Sequence, residues 1–181
     1  RRYKNDDGST NAIFEQVSFV KRRNLNNNLK FGMDYYLSSK TTLGVVFSGF
    51  SNSQKADGTN TSYLKNPNSV TDSIVYAQSN LNENWKNGSV NLNMRHQFDT
   101  AGRVLTADLD YVRYDIHNNQ AFANTTYTPK WEARYVENLS GDLPSVINIY
   151  SGKIDYTHPL QKDAKLEMGW KSSYVSTDNK A

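Results

Sequence analysis

The segment Ser89-Val90-Asn91-Leu92-Asn93-Met94-Arg95-His96-Gln97-Phe98 decides the fold. Its even positions carry Val90, Leu92, Met94, His96 and Phe98, and its odd positions Ser89, Asn91, Asn93, Arg95 and Gln97. Successive side chains of a strand point to opposite faces, so this alternation describes a strand with one apolar and one polar face. The same pattern recurs outward from it. Leu105, Ala107, Leu109 and Tyr111 alternate with Thr106, Asp108 and Asp110. Leu166, Met168, Trp170 and Tyr174 alternate with Glu167, Gly169, Lys171 and Ser173, and Phe31, Met33, Tyr35 and Leu37 with Gly32, Asp34 and Tyr36. Helical spacing at i, i+3, i+4 fits none of these stretches.

The pattern predicts an all-β chain, an antiparallel meander of about seven or eight long strands. The strands are placed at 29–37, 41–52, 88–98, 103–116, 145–157 and 164–177, with a weaker one at 11–20 and a strand extension at 72–86. Short turns are expected near 38–40, 99–102 and 158–163. Asp99 and Gly102 supply the first and fourth positions of type I turn chemistry. Long polar loops are expected near 53–71 and 117–144. Short connections thus alternate with long ones, as in an outer-membrane β-barrel with short periplasmic turns and longer outer loops. The chain is read as a single barrel segment over 1–181. It opens at Arg1 without Met and ends on strand-like sequence, so an internal stretch of a longer protein is expected.

Composition narrows the class. A mean hydropathy of −0.77 leaves no room for membrane helices of roughly 18 apolar residues, but strands that alternate can cross a bilayer at this average. The near balance of 21 basic and 18 acidic residues makes no case for nucleic acid. Without Cys there is neither a disulfide nor a thiolate metal site. The basic run Lys21-Arg22-Arg23 reads as a solvated loop.

Candidate functional residues follow from strand parity. Asn91, Asn93, Arg95, Asp108, Asp110, Lys153 and Glu167 share the polar face and are the expected lumen lining. Asp108 and Asp110 could offer hard oxygens to a cation, but their ordinary reading is pairing with Asn91, Asn93 or Arg95. In the last hairpin, Tyr150 is set opposite Trp170, which places Lys153 opposite Glu167 and Asp155 opposite Lys165. Tyr111, Tyr114, Tyr150, Tyr156, Trp170 and Tyr174 are expected in aromatic girdles at the membrane interfaces. Trp85, Phe122, Tyr127, Trp131 and Tyr135 fall in the outer segments, where they could stack on a glycan or siderophore or pin hairpins together. His96, His117 and His158 have no metal-ligand spacing. With no nucleophile elbow or phosphate loop, no enzyme and no cofactor is expected.

Asp34-Tyr35-Tyr36-Leu37 with Lys40-Thr41-Thr42-Leu43, Asp108-Leu109-Asp110-Tyr111, Gly141-Asp142-Leu143-Pro144, Ser151-Gly152-Lys153-Ile154-Asp155-Tyr156 and Lys165-Leu166-Glu167-Met168-Gly169-Trp170-Lys171 resemble the outer membrane protein β-barrel family, which is similar to TonB-dependent receptors. The resemblance runs from about Phe31 onward and is most specific between Gly141 and Asp178. It implies a large barrel in the Gram-negative outer membrane that takes up a ligand. It also implies coupling to a TonB-type energy system through a plug that this chain does not carry. Partners would be outer-membrane lipid and an imported ligand. The alternative is a soluble or surface-exposed β-sandwich-like domain, a carbohydrate binder or adhesin, in which the apolar parity forms a core.

Overall fold

The computed structural model describes residues 2–4, 6–161 and 164–179. They form one seven-stranded antiparallel sheet in the order β1-β2-β3-β4-β5-β6-β7, and no helix occurs among the described residues. The strands are β1 Arg2–Lys4, β2 Thr10–Ser38, β3 Thr41–Lys65, β4 Thr71–Gln97, β5 Val104–Tyr127, β6 Ala133–Pro159 and β7 Lys165–Asn179. Every neighbour in the sheet is a neighbour in sequence, and the sheet stays open between β1 and β7.

The strands are far longer than the alternation suggested. β2 has 29 residues and β4 has 27, against the roughly 9–11 that cross a bilayer. Segments 53–71 and 117–144, expected as long loops, are strand for most of their length. Only residues 66–70 and 128–132 remain outside β3–β4 and β5–β6 at that end. Strands expected separately at 11–20 and 29–37 are one element, and Lys21-Arg22-Arg23 lies inside it, opposite Asp57, Ala56 and Lys55. The misreading has a physical cause. Asn and Asp are poor strand formers, and here they are held by a ladder that continues upward from the apolar part. Cross-strand side-chain bonds reinforce it: Asn80 Nδ2 donates to Asp57 Oδ1 at 2.6 Å and Asn60 Nδ2 to Ser18 Oγ at 2.8 Å.

The β3–β4 and β5–β6 hairpins close with the same five-residue design. Asn66 Oδ1 accepts from the Asn68 and Val70 amides, each at 3.0 Å. Thr128 Oγ1 accepts from Lys130 N at 3.3 Å and Glu132 N at 3.1 Å. Pro67 and Pro129 follow the capping residue, and the fourth position is left-handed in each, Ser69 at φ 66° and Trp131 at φ 63°.

At the opposite end the turns are tight. Phe98 and Arg103 bond at 2.9 Å across residues 99–102, with Gly102 at φ +101° as its turn requires. The Lys40 Nζ donates to Phe98 O at 2.9 Å, which ties two turns together. The third turn carries a correction. Ile154 faces Trp170, Tyr150 faces Tyr174, and Lys153 faces Lys171, not Glu167. Strand pairing runs on to Pro159 opposite Lys165, so the turn is centred later than expected, within residues 160–164. Of these, 162 and 163 lie outside the described residues. The displacement is by an even number of residues, so each side chain keeps its face. The charges find partners along their own strands instead, Lys153 with Asp155 at 2.5 Å and Lys165 with Glu167 at 2.7 Å.

The Arg103 side chain and amide both donate to Asp99, and the guanidinium holds its carboxyl below the usual carboxylate range. A lowered folded pKa contributes stability above the ordinary Asp range, and this is lost as pH falls through the folded value. Asp99→Asn should therefore weaken the β4–β5 turn at neutral pH, and the difference from wild type should close in acid. Equilibrium unfolding of the refolded protein across a pH series measures this. An unchanged gap at low pH would mean that Asp99 acts through shape and not charge.

Candidate functional site

Register places the sheet's two faces on opposite chemistry near the tight turns. One face carries rows of apolar groups. Tyr35, Leu43, Met94, Ala107, Ile154 and Trp170 form one row, and Met33, Val45, Leu92 and Leu109 the next. Above them Phe31, Phe47, Val90, Tyr111, Tyr150 and Tyr174 lie side by side. In this last row Phe31 stacks on Phe47 and Tyr111 on Tyr150, each at 5.0 Å, and Tyr174 follows Tyr150 at 6.4 Å. At the turn end Phe98 contacts His96 at 4.6 Å and Tyr156 at 6.1 Å. From Leu105 to Tyr111 the band spans about 20 Å at ~3.3 Å per residue. Phe98 and Leu166, lower still, bring it near the ~25 Å of a lipid-facing barrel band. Leu92 is 51% exposed, Leu109 61% and Trp170 65%, a contiguous apolar surface that water would not tolerate and lipid would.

The other face at the same height is polar and bonded. Asn91 Nδ2 donates to Asp110 Oδ1 at 2.7 Å, Asn93 Nδ2 to Asn91 Oδ1 at 3.0 Å, and Ser151 Oγ to Asp110 Oδ2 at 3.1 Å. Asp34 joins this group over Gly44, where an added Cβ would come 2.4 Å from Asn93 Oδ1 and 2.7 Å from Asp34 Oδ1. Asp108 faces Asn93 on one side and Lys153 on the other. Asn91, Asn93, Arg95, Asp108, Asp110, Lys153 and Glu167 thus all occupy one face. Asp110 is engaged by neutral donors, and no group of three or more His, Asp or Glu suited to a metal occurs among the described residues.

Above the stacked aromatic row the faces exchange character. On β5 the apolar set moves from Leu105, Leu109 and Tyr111 to Val112, Tyr114 and Ile116 on the opposite face, joined by Ile147 and Ile149 of β6. Pairing from Val104 to Thr126 is unbroken, so no bulge causes the switch. Sequence alone ends the apolar band there, and Arg113, Asp115 and His117 follow on its face. Tyr114 is thereby corrected. It lies across the sheet from the girdle row and packs against Phe50 at 6.3 Å. Tyr111, Tyr150, Tyr156, Trp170 and Tyr174 keep the apolar face.

The outer aromatics are dispersed. Only Trp131 sits in a loop; Trp85, Phe122 and Tyr135 are strand residues and Tyr127 ends β5. Tyr127 and Trp131 meet at 5.3 Å, while Trp85 pairs with Ile116, about 35 Å lower along β5 at ~3.3 Å per residue. Of the histidines, His96 Nδ1 bonds Thr41 Oγ1 at 2.8 Å and His158 Nδ1 the Tyr156 hydroxyl at 3.0 Å, while His117 lies 3.6 Å from Asp115.

Residues 96–181 match the outer membrane protein beta-barrel family. This is an outer-membrane protein. Its place is the Gram-negative outer membrane. The match takes in the Gly141–Asp178 stretch that most specifically resembles the family, together with β5, β6 and β7. No curated protein matches the chain.

Asp110 anchors the polar network, so its removal has a defined cost. Asp110→Ala strands one donor each from Asn91 and Ser151 and should destabilise by about 1 kcal/mol for a part-buried site. Asp110→Asn keeps an acceptor and should recover most of that loss. Denaturant titration of the folded barrel in detergent compares the two; equal losses would assign the effect to charge and not to hydrogen bonding.

Proposed function

We propose that the sheet is a wall of a TonB-dependent-type receptor and transporter, with its polar face lining the lumen through which a ligand is taken up. The observation that carries this reading is the bonded polar network opposite a lipid-facing band of the same height. Strand number supports a wide barrel. Seven strands leave the edges of β2 and β7 without full partners, and such edges need further strands to close. Wide barrels have room for a passage or a plug, whereas about eight strands only just enclose their own side chains. Energy coupling would come through a plug supplied outside this chain.

The upper hairpins extend the wall well past the lipid. From Ser89 to Thr71, β4 continues for about 60 Å at ~3.3 Å per residue. Their inner surface offers Phe50, Tyr114, Ile116, Ile147 and Ile149, and their tips offer Trp131 against Tyr127. A bulky residue at positive φ costs roughly 1 kcal/mol, which is spent where the ring is presented outward. These groups suit capture of a ligand with apolar or ring faces before passage. The function is binding and passage, without covalent chemistry or a cofactor.

Single Cys probes in the full-length protein in membranes test this, on a background whose described segment has no native Cys. Probes at Asn91, Asn93, Asp108 and Glu167 should react with water-soluble thiol reagents and become protected by bound ligand. Probes at Leu92, Met94, Leu109 and Met168 should report lipid. If the second group is shielded from both lipid and water, the apolar rows form a protein core and the barrel-wall reading fails.

A further inference from the structure

We propose that a hollow in the lipid-facing surface at Gly49 and Gly88 is a binding site for a phosphorylated, multiply acylated lipid of the outer leaflet. The inference rests on which face meets lipid and is independent of the uptake reading.

The stacked aromatic row is interrupted on its upper side. Gly49 and Gly88 face each other across β3 and β4, and the space their missing side chains leave is a hollow of about 360 Å³. Leu29, Phe31, Phe47 and Tyr111 wall it. The lining is almost wholly apolar, at the level where the aromatic girdle marks the interface. An acyl chain fits such a recess and a sugar or ion does not.

The two glycines are not equivalent. At Gly49 a Cβ would come 2.9 Å from Asn87 O, so backbone crowding alone excludes a side chain there. At Gly88 a Cβ meets nothing within 4 Å, and the residue has no left-handed φ. Neither strain nor crowding requires glycine at 88, and glycine weakens a strand interior. What it preserves is the open space.

Charge completes the site. Arg113 is directly opposite Gly88 on β5, and Lys86 is the next residue up the same face of β4. Both are exposed, and neither forms an ion pair among the described residues. The carboxylate nearest in register is Asp115, opposite Lys86 and turned toward His117 at 3.6 Å. The other side chains around the rim, Asn27, Ser51 and Asn148, are neutral. Two cations therefore stand over the apolar recess against one carboxylate. A guanidinium binds phosphate with two parallel hydrogen bonds, and an ammonium adds a point charge. Acyl chain below and phosphate above is the order in which an outer-leaflet glycolipid presents itself to the barrel.

The test uses the full-length protein in mild detergent, incubated with diphosphorylated lipid A, dephosphorylated lipid A or phosphatidylethanolamine, with bound lipid counted by native mass spectrometry. Wild type should retain diphosphorylated lipid A at least 10-fold better than either other lipid. Gly88→Trp, which fills the hollow, should lower that retention at least 10-fold. The double variant Arg113→Gln/Lys86→Gln should lose the preference for phosphate while still binding the dephosphorylated lipid. If Gly88→Trp fails to give the folded, heat-modifiable band on a gel, the exposed double variant carries the test alone. Retention of phosphatidylethanolamine equal to lipid A, or an undiminished phosphate preference in the double variant, overturns the proposal and leaves an ordinary lipid annulus.

Discussion

The rest of the structure depends on one constraint: backbone amides and carbonyls that cross a bilayer must find their partners within the protein. In this chain the answer is an uninterrupted antiparallel ladder. β4 pairs with β5 from Gln97–Val104 up to Ile74–Tyr127 without a shift, and β2 pairs with β3 over nearly all of both strands. Because the ladder does not slip, parity is conserved from one strand to the next. A single apolar residue at a given height therefore becomes a row, and a row of aromatics becomes a girdle. The apolar face, the polar face and the Gly49–Gly88 recess all follow from that conservation.

The same constraint explains the upper hairpins. Once the ladder is established in the lipid-facing part, extending it costs little nucleation, because each further pair adds hydrogen bonds to strands already aligned. Residues with weak strand preference can then be carried along. Side-chain bonds such as Ser48 to Ser89 at 2.6 Å and Asn118 Nδ2 to Glu83 Oε1 at 3.2 Å stiffen the polar stretch. The tips need only a short device, and Asn66 and Thr128 supply it twice with the same pair of amide bonds.

What could be read from sequence follows the same division. Alternation at Ser89–Phe98 and Val104–Tyr111 identified strands, faces and the polar set from Asn91 to Lys153, because side-chain parity is a property of the strand alone. Strand length was not legible, since 53–65 and 117–127 are written in Asn, Ser, Thr and Gln, the vocabulary of loops. Register between β6 and β7 was misjudged because opposite-charge pairing is a weak force at an exposed surface. Tyr114 was assigned to the girdle because aromatic character was read without its parity, and the exchange of faces after Tyr111 was visible in Val112, Tyr114 and Ile116 to that closer reading. Gly49 and Gly88 are far apart in sequence, and only the β3–β4 register puts them side by side.

That exchange of faces fixes the boundaries of the membrane more tightly than composition can. A strand with one apolar parity throughout would be ambiguous about where lipid ends. Here the outward apolar set of β3, β5 and β7 stops at Phe47, Tyr111 and Tyr174, and the inward set begins at the next residue of β5. A displacement of the sheet inward by one row would bury Arg113 in hydrocarbon, at a cost of about 2–4 kcal/mol near the midplane and less toward the interface. A displacement outward would lift Tyr111 and Tyr150 out of the region where amphipathic rings are most stable. The two penalties oppose each other, so the bilayer edge is held at the stacked row, with the recess at the hydrocarbon boundary and Arg113 and Lys86 at headgroup height.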